Sequence, residues 1–179
     1  MTLRKWGGIY FDTDMIVTRS LDNLPINFLA KEDANGISTG ILSFGKDTAG
    51  SNMTDAIINN ILKQYHPQIR TSIGGPVFDH VIKELCPELT DSKDDFNNPI
   101  NICKGVTIFY SELFYSTKWR QMFRPPVANE FDLERPYTYH MCSHVTNSFK
   151  INKGTVYEII ARRYCPYIYH AYGEEFGVE

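Results

Sequence analysis

A chain of 179 residues, 42 % apolar and 22 % charged, is long enough to build a real core and too apolar for a disordered segment. A formal charge of −3 with no Lys/Arg stripe argues against nucleic acid as a partner. No run of about 18 apolar residues is present, so no membrane segment is expected in this chain, and the N-terminal apolar stretch, interrupted by Asp12 and Asp14, does not read as a signal or other targeting segment.

In chain order, Ile9 to Val17 reads as a buried strand introduced by a Gly7-Gly8 turn. Ile37 to Phe44 reads as a second strand, and Gly40 inside it suggests close approach of a backbone or ligand. Residues 53–65 have helical period, with Met53, Ile57, Ile58, Ile61, Leu62 and Tyr65 on one face. Residues 76–85 have it again, with Pro76 in the first turn and Val77, Phe78, Val81, Ile82 and Leu85 on one side. The polar residues 88–101 read as a loop, Gly105 to Phe109 as a short strand, residues 110–137 as irregular, and His140 to Val145 as a last strand. Thr155 and Glu158 form a capping box opening a final helix that stops at Cys165-Pro166. Strands alternating with helices, with no linker between them, predict an α/β chain of one region over 1–179.

The four cysteines contain no C-x-x-C pair, which argues against a zinc knuckle; their even count permits two disulfides but also fits buried thiols. One sequon, Asn52-Met53-Thr54, weakly favours a secretory location.

The sharpest chemical feature is the strand Ile9-Tyr10-Phe11 running straight into Asp12-Thr13-Asp14. Residues two apart on a strand share a face, ~6.6 Å apart along the chain, so Asp12 and Asp14 project together unless the strand breaks at Thr13. Two hard carboxylates so placed suit Mg²⁺ or Mn²⁺, which can hold a diphosphate and offset charge on a leaving group. A bare D-x-D is by default a strand end with two solvated aspartates. Here the apolar strand and the preceding Gly-Gly turn favour the metal.

The segment Gly7-Gly8-Ile9-Tyr10-Phe11-Asp12-Thr13-Asp14 resembles the signature of DXD-type sugar transferases. The order downstream is similar to the α-1,4-glycosyltransferase family, the group of globotriaosylceramide synthase and α-1,4-N-acetylglucosaminyltransferase. The matching pieces are Thr39-Gly40, Gly75-Pro76, Cys86, Cys103-x-Gly105-Val106, Phe114-Tyr115 with Trp119, His144-Val145-x-Asn147 and Arg163-Tyr164-Cys165-Pro166. The resemblance implies an α/β, GT-A-like (nucleotide-diphospho-sugar transferase) domain. It also implies retaining transfer of galactose or N-acetylglucosamine from UDP-galactose or UDP-N-acetylglucosamine to a glycolipid or glycan in α-1,4 linkage, in the Golgi lumen. Asp12, Asp14 and His144 would then bind Mn²⁺, and Thr39, Gly40 and Gly75 would line the donor-sugar pocket. His144 could equally be a buried, hydrogen-bonded histidine, Gly75-Pro76 an ordinary helix start, and Trp119 a core residue rather than a platform for an acceptor sugar. A lumenal parent would pair Cys86 with Cys103.

The chain departs from the family pattern at Thr39, Val77, Ser116 and Thr146, which bear on donor and acceptor choice. Because the DXD begins at residue 12, the expected domain lacks its N-terminal half, the membrane anchor included, and the chain as written is expected to show no measurable sugar transfer. The alternative is an inactive homologue serving at most as a binding domain. A haloacid-dehalogenase-type phosphatase fits poorly, since that motif wants Thr or Val where this chain has Ile16, and Asp94-Asp95 fall in a polar loop.

Overall fold

The computed structural model describes residues 2–33, 36–89, 100–127 and 131–172. The elements run α1 (Thr2–Trp6), β1 (Gly8–Phe11), β2 (Met15–Val17), β3 (Phe28–Asp33), β4 (Gly36–Phe44), α2 (Thr48–Gln64) and α3 (Gly75–Leu85). They continue with β5 (Ile100–Cys103), β6 (Val106–Phe109), α4 (Trp119–Met122), β7 (Thr138–His140), α5 (Ser143–Thr146), α6 (Val156–Tyr164) and α7 (Pro166–Tyr172). The class is mixed α/β, as the alternation predicts. The chain divides into two compact units, Met1–Asp12 with Asn23–Ser111, and Thr13–Asp22 with Glu112–Glu179.

The first unit is a five-stranded sheet in the order β1-β4-β3-β6-β5. Only β3 and β6 run parallel; the other neighbours are antiparallel. At its centre Phe28, Leu29 and Ala30 of β3 are fully buried, as expected of a strand paired on both sides. Helices α2 and α3 supply Met53, Ile57, Val77, Phe78, Val81 and Ile82 to a core shared with Leu29, Phe44 and Ile108.

The expected helix over 53–65 begins earlier, at Thr48, because Asp47 caps it by accepting from the Gly50 amide. Its apolar face also ends sooner than the periodicity suggests: Leu62 and Tyr65 are exposed. The disulfide Cys86–Cys103 ties the end of α3 to β5. Of the expected loop 88–101, residues 90–99 lie outside the described residues.

In the second unit β2 and β7 pair antiparallel, with Met15 opposite His140 and Val17 opposite Thr138. Met122, Tyr139, Met141, Val156 and Ile160 form its core. The Thr155 hydroxyl accepts from the Glu158 amide at 3.4 Å, as a cap should, but the Glu158 carboxylate accepts from the Gly154 amide rather than reaching Thr155. That carboxylate is only 4 % exposed and is further bound by the Tyr169 hydroxyl and Arg162.

Candidate metal centre

The strand expected over Ile9 to Val17 is two strands. β1 ends at Phe11, β2 begins at Met15, and Asp12 to Asp14 make the break between them. Nor is the first part buried: among the described residues β1 pairs only with β4, and as an edge strand it leaves Ile9 and Tyr10 exposed. The two aspartates therefore do not project from one continuous pleat. Asp12 is the last residue of the first unit; Asp14 belongs to the second.

Asp12 is fixed by its own unit. Its amide donates to the Gly40 carbonyl at 2.8 Å, and its Oδ1 accepts from the Tyr10 hydroxyl at 2.6 Å. Two of the residues singled out in the sequence, Asp12 and Gly40, are thus neighbours through the backbone of β4.

Asp14 is held more elaborately. Its carbonyl accepts from the Met141 amide at 2.9 Å, continuing the β2–β7 ladder by one bond. The expected strand His140 to Val145 stops at His140, because Cys142 takes a left-handed conformation, φ 51°, and turns the chain into α5. A non-glycine residue there carries a modest conformational cost. The turn brings Ser143 back onto Asp14: Oδ2 accepts from the Ser143 amide at 2.8 Å and from its hydroxyl at 3.0 Å. The other carboxylate oxygen, Oδ1, lies 3.5 Å from His140 Nε2. Both side chains are mostly buried, His140 to 13 % exposure and Asp14 to 16 %. The second imidazole nitrogen, Nδ1, is 3.6 Å from Cys142 Sγ, and Tyr115 meets the ring edge-on at 5.7 Å between centroids.

Burial by itself would push the Asp14 carboxyl up, but the two Ser143 hydrogen bonds and the adjacent His140 hold it below its ordinary value. A carboxylate that stays ionised beside an imidazole is a donor set that fits a divalent cation of the Mn²⁺ type, and a second carboxylate, Asp12, is two residues away in the chain. The residues present therefore fit the metal that the motif implies.

The remaining predicted site residues are placed as follows. His144 is exposed on α5 and is neither buried nor paired with Asp14; the imidazole beside Asp14 is His140. Thr39 is half-buried on β4 and lines a cavity of about 390 Å³ whose walls include Leu42, Phe44, Ile57 and Phe78. Gly75 opens α3 against β4, where a Cβ would strike the Ile37 carbonyl oxygen, so packing alone requires glycine there. Trp119 is half-buried and packs edge-on against Phe149 at 5.8 Å. Sequence reasoning missed His140. It stands one residue past Tyr139 in the segment expected to start a strand, and only its pairing opposite Met15 marks it.

Residues 1–30 match a model described as glycosyltransferase sugar-binding region containing DXD motif. Residues 46–172 match a model described as alpha 1,4-glycosyltransferase conserved region. Among curated proteins, the lactosylceramide 4-alpha-galactosyltransferase of Gorilla gorilla gorilla is 28 % identical over 93 % of this chain and 50 % of its own length. That of Rattus norvegicus is 29 % identical over 94 % of this chain and 46 % of its own length. The alpha-1,4-N-acetylglucosaminyltransferase of Homo sapiens is 23 % identical over 92 % and 47 %. The chain spans about half the length of these relatives. No solved structure matches. The mixed sheet with its helices is consistent with a partial GT-A-like domain. With a family model covering residues 46–172 and the DXD model covering the motif before it, the chain belongs to the α-1,4-glycosyltransferase family.

Proposed function

We propose that this chain carries the metal- and donor-binding part of a retaining α-1,4-glycosyltransferase that moves galactose or N-acetylglucosamine from a UDP-sugar to a glycolipid or glycan acceptor. The observation that carries the proposal is Asp14, the second aspartate of the DXD motif, held ionised by Ser143 beside His140. Asp12 and Asp14 supply carboxylates to Mn²⁺, and His140 takes the role that the motif spacing had given to His144. Thr39, Gly40 and Gly75 line the donor-sugar side. When bound, such a cation offsets the negative charge that gathers on a departing nucleoside diphosphate.

The chain's own residues do the positioning. Tyr10 and the Gly40 carbonyl fix Asp12, and Ser143 and the Met141 amide fix Asp14. We assign the protein to the Golgi lumen; what supports this is the Cys86–Cys103 disulfide, which belongs in an oxidising compartment, together with the glycolipid-directed names of its relatives. Among the described residues no helix is long and apolar enough to cross a membrane.

The test is calorimetric titration of UDP into the chain with and without Mn²⁺, repeated on Asp12→Asn and Asp14→Asn. Mn²⁺-dependent UDP binding that either substitution abolishes is the expected result. Binding that needs no metal, or that survives both substitutions, would overturn the assignment.

A further inference from the structure

The turn Cys142-Ser143 does more for the candidate centre than close a strand. Ser143 commits two donors, amide and hydroxyl, to one oxygen of Asp14, Oδ2. Oδ1, on the His140 side, takes neither of them. A carboxylate that could otherwise rotate about its χ2 is thereby locked with Oδ1 on the His140 side. The residue before, Cys142, sets its sulfur 3.6 Å from the far nitrogen of His140, so consecutive residues restrain the two side chains of the pair. The left-handed backbone of Cys142 is what allows both at once, because it aims the Ser143 amide back across the ladder.

We propose that Ser143 is a positioning residue of the metal centre, whose hydroxyl fixes the rotamer of Asp14 so that Oδ1 alone, beside His140 Nε2, is presented to a divalent cation. This rests on the assignment of Asp14 and His140 as metal ligands. Outer partners of metal-ligating carboxylates and histidines orient them, and losing one typically weakens the metal about 10–100-fold. Ser143 retains its amide bond to Asp14 when the hydroxyl is removed, so Ser143→Ala belongs at the low end, about tenfold.

The experiment titrates Mn²⁺ alone into the chain and follows the loss of the free-ion signal by electron paramagnetic resonance. Four proteins are compared: the unaltered chain, Asp14→Asn, Ser143→Ala and Ser143→Thr. Thermal midpoints are recorded for each. Expected are binding by the unaltered chain, none by Asp14→Asn, about tenfold weaker binding by Ser143→Ala at an unchanged midpoint, and recovery in Ser143→Thr, which keeps the hydroxyl. If the unaltered chain and Asp14→Asn behave alike, the metal assignment fails and this inference with it. If Asp14→Asn loses the metal while Ser143→Ala keeps its affinity, the inference alone is overturned. A lowered midpoint with unchanged affinity would make Ser143 a structural residue only, and also overturns it.

Discussion

Removing the Cys86–Cys103 disulfide is the most informative test of the first unit. The two cysteines are 17 residues apart, and the bond joins the end of α3 to β5. In the chain-entropy relation a loop of that size restricts the unfolded chain by about 3 kcal/mol at 25 °C. Typical domains have only about 5–15 kcal/mol in total, so the loss is a large fraction of it. With a urea slope of about 2 kcal/mol/M, the midpoint should fall by roughly 1.5 M. Both sulfurs are buried, Cys103 at 0 % exposure and Cys86 at 1 %, so reduction also requires the core to open. The assay is urea unfolding of the oxidised chain against Cys86→Ala/Cys103→Ala, with alkylation under native conditions reporting the thiols. The oxidised chain should leave Cys86 and Cys103 unlabelled, since the bond between them consumes both thiols. Midpoints within about 0.5 M of each other would mean that the bond contributes under about 1 kcal/mol. The loop-entropy reasoning would then fail for this chain, whereas labelling of Cys86 and Cys103 in the native protein would remove the support that the bond lends to a lumenal location.

Other expectations concern single residues. Gly50→Ala puts a methyl against the Asn27 side chain and the Gly45 backbone inside the α2 cap, and should destabilise by about 1–3 kcal/mol in urea unfolding; a neutral effect would mean that α2 can shift away from Asn27. Burial would raise Glu158, but the Tyr169 hydroxyl, the Gly154 amide and Arg162 hold it below its ordinary value. Its contribution is therefore present above the unfolded carboxyl value and lost as pH falls through the folded one. Glu158→Gln should cost about 1–3 kcal/mol at neutral pH and remove that acid-side slope; an unchanged slope refutes the assignment. Asp79 has the opposite sign. Burial pushes it up despite the hydrogen bond it accepts from the Ile37 amide, so the folded state favours its protonated form, and stability declines as pH rises through the folded value. Asp79→Asn keeps an acceptor for Ile37 and should flatten that decline in a pH series of urea midpoints; a steeper decline would contradict it.

Much of the first unit was legible because its signals are local. The 3.6-residue period of Val77, Phe78, Val81 and Ile82 marks α3, and the apolar run Ile37 to Phe44 marks β4, without reference to any distant residue. The break inside Ile9 to Val17 could be raised as an alternative at Thr13 but not decided from the sequence. Its apolar and β-branched residues are equally good for one strand or two, and the choice depends on β1 pairing with β4 while β2 pairs with β7. Leu62 and Tyr65 are expected on the apolar face of α2, yet it is Ile61 that packs on the core, so Leu62 beside it is turned to solvent, and Tyr65, the cap residue after the helix, is exposed as well.

For the candidate site, the sequence by itself supplied two aspartates after Gly-Gly-Ile-Tyr-Phe and a family pattern over nearly the whole chain, while it left the four cysteines open between disulfides and thiols until the structure paired Cys86 with Cys103. Tertiary structure decided which imidazole stands beside Asp14. Ser143 is 129 positions from Asp14, and a separation of that length carries no periodic signal. The register Met15 opposite His140, and the left-handed turn at Cys142 that ends the strand there, put His140 and Ser143 on Asp14 and leave His144 in solvent. Register in a ladder is set by hydrogen bonding and burial between distant segments, and a shift of one residue turns every side chain to the other face. Choosing between His140 and His144, four residues apart, is therefore a choice that strand pairing makes and that a family pattern and an expected strand did not.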